Sequence, residues 1–133
     1  MMIVDTCVLS LVFRRRSPLE TRVTAELRRL LGSDRAVIIG AVRQEVLSGV
    51  REYSQFLRVR ELLRNYADTS LDQSCHERAA EFDYVCRRAG FATSSTDMLI
   101  CAAAESLDVG VFTTDEDFER YASVLPITLH PVP

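Results

Sequence analysis

The opening stretch Met1-Met2-Ile3-Val4-Asp5-Thr6-Cys7-Val8-Leu9 constrains the fold more than any other. Its apolar run with β-branched members reads as a buried strand. The run stops at Asp5, and a new apolar pattern begins two residues later. In an open parallel sheet, ligands sit outside the carboxyl ends of the strands. An acid at that edge is either a cap for the following helix, accepting a hydrogen bond from its free N–H groups, or one piece of a site. The choice turns on whether other acids arrive at the same edge.

Beyond it, residues 8–13 predict a short helix. The triplet Arg14-Arg15-Arg16 with Ser17-Pro18 predicts a loop, either simply solvated or able to grip phosphate. Leu19, Val23, Leu27, Leu30 and Leu31 form one helical stripe closed by Gly32. Residues 36–39 predict a second short buried strand, ended by Gly40. The helix after it turns Val42, Val46, Leu47 and Val50 inward, with Glu45 at the border of that stripe, one turn past the strand's carboxyl end. A helix over 52–66 carries Phe56, Val59, Leu63 and Tyr66 along one face. With Tyr53, Leu57 and Leu62 it holds more apolar residues than one face needs, so it has either a wide core stripe or a partner surface. Residues 68–71 are a short strand or a connection. Cys75, Ala79, Phe82, Cys86 and Ala89 then keep helical spacing up to Gly90.

In the next helix Ser94 and Asp97 have capping-box spacing, with Asp in place of the preferred Glu. Asp97 also shares a face with Ile100, Cys101 and Ala104, so its carboxylate points inward. Burying a charge there is costly without a counter-charge. Residues 109–113 predict a strand, followed by Asp115 and a short helix containing Tyr121 and Ala122; residues 126–129 predict an edge strand. This alternation gives an α/β fold with a mainly parallel central sheet and helices on both sides, as a single domain over residues 1–133.

Composition removes several classes of chemistry. No apolar run approaches the roughly 18 residues of a membrane span, and no basic region precedes an apolar stretch at the N-terminus, so neither a span nor a signal peptide is expected. Cys7, Cys75, Cys86 and Cys101 sit inside apolar patterns and read as buried thiols of a reducing cytoplasm. His76 and His130 are too few for a zinc site. All 16 basic residues are Arg, and the absence of Lys excludes P-loop and Schiff-base mechanisms.

The acids remain. Asp5, Glu45 and Asp115 each follow a strand, and Asp97 begins a helix running antiparallel to the strands, which brings it over the same edge. Four carboxylates gathered there repel one another and raise their pKa values. Helix N-termini offset on the order of 0.3–1 kcal/mol each, and a divalent cation offsets far more. An all-oxygen donor set without His or Cys points to Mg²⁺ or Mn²⁺, ions able to bind a phosphodiester and lower the pKa of water.

Val4-Asp5-Thr6, Glu45 early in the second long helix, Ser95-Thr96-Asp97-Met98-Leu99-Ile100-Cys101-Ala102-Ala103-Ala104 and Thr113-Thr114-Asp115-Glu116-Asp117-Phe118, in that order, resemble the PIN-domain family. Length and ordering are most similar to its VapC-type toxins from bacterial toxin–antitoxin pairs, and the resemblance spans nearly the whole chain. It implies a PIN-like three-layer α/β/α sandwich, Mg²⁺-dependent endoribonuclease activity with Mn²⁺ able to substitute, a cytoplasmic homodimer, an RNA substrate and a cognate antitoxin. By it, Asp5, Glu45, Asp97 and Asp115 are the catalytic and metal-binding quartet. Asp117 is a candidate fifth ligand, and Thr6 and Thr113 are candidate supporting hydroxyls. Cys7 is a departure, standing where the family often has Ser or Asn; it bears on the support of Asp5 and removes no ligand. Neutralising the quartet would turn the net charge from −3 into −3 + 4 = +1, with 16 arginines outside the site for an RNA backbone.

Two rival readings remain. A haloacid-dehalogenase-type phosphatase needs a second Asp where Cys7 stands, and normally a Lys. A PIN-like module that binds RNA or a partner without cutting would be signalled by loss of an acid, and all four positions are filled.

Overall fold

Ile3 and Val4 are fully buried. A strand apolar on both faces needs cover above and below and hydrogen-bonding neighbours on both edges, which puts strand β1 (Met2–Val4) in the middle of the sheet. The computed structural model describes residues 1–14 and 21–131. In it, strand β2 (Ala36–Val37) pairs with β1 in parallel through Met2↔Ala36 and Ile3↔Val37. Strand β3 (Gly110–Phe112) pairs on the other side through Met2↔Gly110, Ile3↔Val111 and Val4↔Phe112, giving the order β2-β1-β3. The Asp5 N–H donates to the Phe112 carbonyl at 3.0 Å, carrying the ladder one residue past β1.

The chain therefore leaves β1 toward one side and comes back on the other. Helices α1 (Thr6–Phe13) and α2 (Arg22–Gly32) lead to β2. Helices α3 (Gly40–Ser48), α4 (Tyr53–Leu63), α5 (Gln73–Arg88) and α6 (Ser95–Leu107) lead to β3, and α7 (Asp117–Val124) follows. Right-handed crossovers in opposite directions place helices on both faces of the sheet, which is the α/β/α sandwich; α1 packs against α2, α3 and α4, and α6 against α5. The winding reverses between β1 and β3, and the edge outside their carboxyl ends is where open α/β sheets bind ligands. Helix α6 can lie close to β1, β3 and α5 because its inner face is built of small residues, with Cys101, Ala102, Ala103 and Ala104 all buried.

The second and third strands and the helix over 52–66 are shorter than the sequence predicts, while α1 begins two residues earlier. The second strand stops at Val37, because the Ile38 carbonyl turns to accept the Thr69 N–H at 2.8 Å. That single bond is what segment 68–71 contributes, so it is a connection. Segment 126–129 supplies one parallel bridge, Val111↔Leu129, with Val111 N–H donating to the Thr128 carbonyl and His130 N–H to the Val111 carbonyl. Pro126 and Pro131 have no N–H to extend it. Gly32 belongs to α2, and the residue that ends the helix is Asp34 at φ +60°. Arg15, Arg16, Ser17, Pro18 and Leu19 lie outside the described residues. All four cysteines are free thiols. Among the described residues, no helix is long and apolar enough to cross a membrane.

Candidate functional site

Asp5 turns out to be a cap and more than a cap. One oxygen, Oδ1, accepts the Thr6 N–H at 2.7 Å and starts α1. The other, Oδ2, accepts the Thr113 hydroxyl at 2.7 Å and the Cys7 thiol at 3.2 Å. Asp5 is 3% exposed, and burial raises its pKa above the ordinary carboxylate value. The hydrogen bonds from Thr113, Cys7 and Thr6 work against that rise, and the charge of Asp115 adds to it.

Thr113 links two of the acids. Its hydroxyl donates to Asp5 and also accepts the Asp115 N–H at 2.9 Å, so one side chain ties the end of β1 to the turn after β3. Asp115 is exposed, and its Oδ1 accepts the Asp117 N–H at 2.9 Å. The Asp117 carboxylate pairs with Arg120 at 2.7 Å.

Asp97 lies in the first turn of α6. The Ser94 hydroxyl accepts its N–H at 3.1 Å, so Ser94 is the cap and the Asp97 carboxylate is free for another partner. That partner is Tyr121, whose hydroxyl donates to Asp97 Oδ2 at 3.0 Å. Burial pushes the Asp97 pKa up to about 6; the charges of Asp5 and Asp115 add to the rise, and the Tyr121 hydrogen bond opposes it. Glu45 is exposed on α3 and joins the group through Thr6, whose hydroxyl donates to Glu45 Oε1 at 2.7 Å.

The structure thus brings Asp5, Asp97 and Asp115 within electrostatic reach of one another, attaches Glu45 through Thr6, and turns Asp117 to Arg120. As the side chains stand, no three His, Cys, Asp or Glu groups among the described residues form a metal-holding set. Cys7 supports Asp5 directly, and burial together with the charge of Asp5 raises its thiol pKa, which keeps it a protonated donor. Sequence reasoning gave Tyr121 no role beyond a place in the short helix after Asp115. The available signal was its hydroxyl: a buried Tyr O–H needs a partner, and Tyr121 is 1% exposed. His76 sits by the Asp72 carbonyl at the start of α5, and His130 packs against the Phe112 ring, so the two histidines share no site.

The PIN domain family model matches residues 2–124. No curated protein sequence matches the chain. Among solved structures, FitAcB from Neisseria gonorrhoeae is 20% identical with a TM-score of 0.75, over 98% of this chain and 97% of that one. A toxin–antitoxin complex from Klebsiella pneumoniae is 21% identical with a TM-score of 0.65, over 89% and 90%. VapBC2 from Rickettsia felis, bound to a DNA fragment from their promoter, is 15% identical with a TM-score of 0.73, over 97% and 96%. These are likenesses of fold. With the family match running from the first strand through the last helix, the chain belongs to the PIN domain family.

Proposed function

We propose that the protein is a metal-dependent endoribonuclease, the toxin of a toxin–antitoxin pair, with Asp5, Glu45, Asp97 and Asp115 as its catalytic acids. One observation carries the reading: acids from three separate elements meet where the winding reverses, and burial and mutual repulsion make two of them costly as anions. A set of simple helix caps has no need of that cost.

The donor chemistry fits a hard dication. Every candidate ligand is a carboxylate, and the nearby thiol of Cys7 is held protonated. Asp5 and Asp97 have their positions fixed by Thr113, Cys7 and Tyr121. Asp115 and Glu45 are exposed, so their side chains can rotate to complete a set that does not converge as it stands. Mg²⁺, or Mn²⁺ in its place, would supply Lewis-acid polarisation of the phosphodiester and a lowered pKa for the attacking water. Thr113 keeps Asp5 and Asp115 in register, Thr6 keeps Glu45 beside Asp5, and Tyr121 holds one Asp97 oxygen so that the other faces the group.

Fold likeness to FitAcB, VapBC2 and a toxin–antitoxin complex supports an antitoxin partner. By the same reading the protein is a cytoplasmic homodimer. The test is cleavage of total RNA with Mg²⁺, Mn²⁺, Ca²⁺ or EDTA. The expected result is cleavage in Mg²⁺ and Mn²⁺, little in Ca²⁺ with its larger and looser coordination, and none in EDTA, leaving 5′-phosphate and 3′-hydroxyl ends. Full activity in EDTA, or 2′,3′-cyclic phosphate ends, contradicts the mechanism. The alternative is a module that binds RNA or a partner without cutting. RNA that is bound but left intact in Mn²⁺ selects it.

A further inference from the structure

Two hollows run away from the acidic edge and share a wall at Gly49. The nearer, of about 610 Å³, opens beside Thr6 and Glu45 and is walled by Gln44 and Ser48 of α3 and Thr96 of α6. Helical spacing puts Gln44, Glu45 and Ser48 on one face of α3. The farther, of about 560 Å³, lies between α1 and the turn from α3 to α4, with Arg14 and Arg51 in its wall and Glu52 as the one acid among the described residues that line it.

The two hollows differ in chemistry. Apart from Glu45, the nearer offers an amide and hydroxyls, groups that donate and accept hydrogen bonds without charge. The farther offers guanidinium groups. Several arginines elsewhere are neutralised by acids: Arg29 by Glu26, Arg43 by Asp68, Arg78 by Glu105, Arg87 by Asp83 and Arg120 by Asp117. Arg14 instead donates to the Gly49 carbonyl at 2.7 Å, which fixes its guanidinium without neutralising it. Arg51 is exposed and enters no ion pair among the described residues.

We infer that the two hollows form a track for single-stranded RNA, in which Gln44 reads the base beside the scissile phosphate and Arg14 and Arg51 hold the backbone beyond it. The inference rests on the ribonuclease reading above. Phosphate contacts position a nucleic acid and base contacts specify it, and single strands are read on their exposed base edges. Arg51 is then a positioning residue, and Gln44 the residue that sets sequence preference.

The two roles predict different signatures. Arg51→Gln raises KM roughly tenfold for every RNA sequence, leaves kcat unchanged, and makes the dependence of log(kcat/KM) on log[salt] shallower by about 0.7, the share of one phosphate contact on a single strand. Gln44→Ala leaves the salt dependence alone and flattens the preference at one position by roughly tenfold, as loss of a base hydrogen bond should. Sequencing the RNA ends produced from a random-sequence pool reads that preference. Anisotropy of labelled RNA in Ca²⁺ reads binding apart from cleavage. Both side chains are exposed, so neither change threatens the fold. If wild-type protein cuts RNA and both variants match it in KM, salt dependence and sequence preference, the track is wrong. If wild-type protein neither binds nor cuts RNA, the ribonuclease reading falls, and the track with it.

Discussion

Asp97 meets two demands at once. Its backbone is capped by Ser94, and its carboxylate is half-buried against Tyr121 with two other acids in reach. Its folded-state pKa of about 6 lies above the 3.8 of the unfolded chain, so between those values the folded state holds a proton that the unfolded state does not. By linkage, the metal-free protein gains stability as pH falls through about 6, and the gain is complete near the unfolded value. Roughly two units at about 1.4 kcal/mol each set an upper limit of about 3 kcal/mol. Asp97 is partly exposed, and screening by water reduces this to on the order of 1 kcal/mol. Denaturant melts in EDTA at pH 7 and pH 5 check it: wild type should gain on Asp97→Asn as the pH drops, and parallel behaviour of the two contradicts the shift. The inward pointing of Asp97 was legible in the sequence, because Ile100, Cys101 and Ala104 continue its face. What met it was not legible. Tyr121 lies 24 residues further on, and the bond that steadies Asp5 comes from Thr113, 108 residues away. Such contacts depend on how two elements meet, which no local pattern records.

Helices were legible from their apolar spacing, and their ends less so. Helix α5 closes as predicted at Gly90, with φ +86°; Phe91 N–H donates to the Cys86 carbonyl at 2.9 Å and Gly90 N–H to the Arg87 carbonyl at 3.0 Å. Helix α6 closes by the same pair of bonds, Val109 to Ala104 and Asp108 to Glu105, but with Asp108 in the left-handed position at φ +54°. Asp tolerates that conformation better than most residues and Gly better still; Asp also brings a negative charge to a helix C-terminus. Asp108→Gly should therefore stabilise the protein by about 1 kcal/mol in urea unfolding, with RNA cleavage unchanged. A loss of stability there means that the Asp108 side chain has a role beyond closing the helix. The strands were overestimated for a related reason. Two or three residues suffice where a sheet is covered on both sides, and Ile38, Ile39 and Val109, beside β2 and β3, serve the core without joining the ladder.

At the scale of the whole molecule, strand order gathers the site. Because β1 has β2 on one side and β3 on the other, the ends of β1 and β3 and the start of α6 are brought to one edge of the sheet, and each contributes an acid. The other surface of note is α4. Val59 and Leu63 are buried, while Tyr53 is 71% exposed and Leu57 37%, so the surplus apolar residues are not taken up by the core of the chain. Leu57→Asp should weaken binding of the cognate antitoxin at least tenfold, measured by calorimetry, and leave RNA cleavage by the free protein intact. Unchanged affinity removes α4 from the partner surface.

Whether the acids at this sheet edge hold a cation can be read from the sign of a stability change. If they do, like charges strain the metal-free protein, and Asp97→Asn relieves the strain while keeping an acceptor for the Tyr121 hydroxyl. Thermal melts of wild type and Asp97→Asn at neutral pH, in EDTA and in Mn²⁺, read both parts together. The account predicts a mutant that melts higher than wild type in EDTA and rises less on adding Mn²⁺, since that rise follows the ratio of free metal to its dissociation constant. A mutant that melts lower in EDTA and responds to Mn²⁺ as wild type does would contradict it, and Asp97 would be a structural residue at the start of a helix.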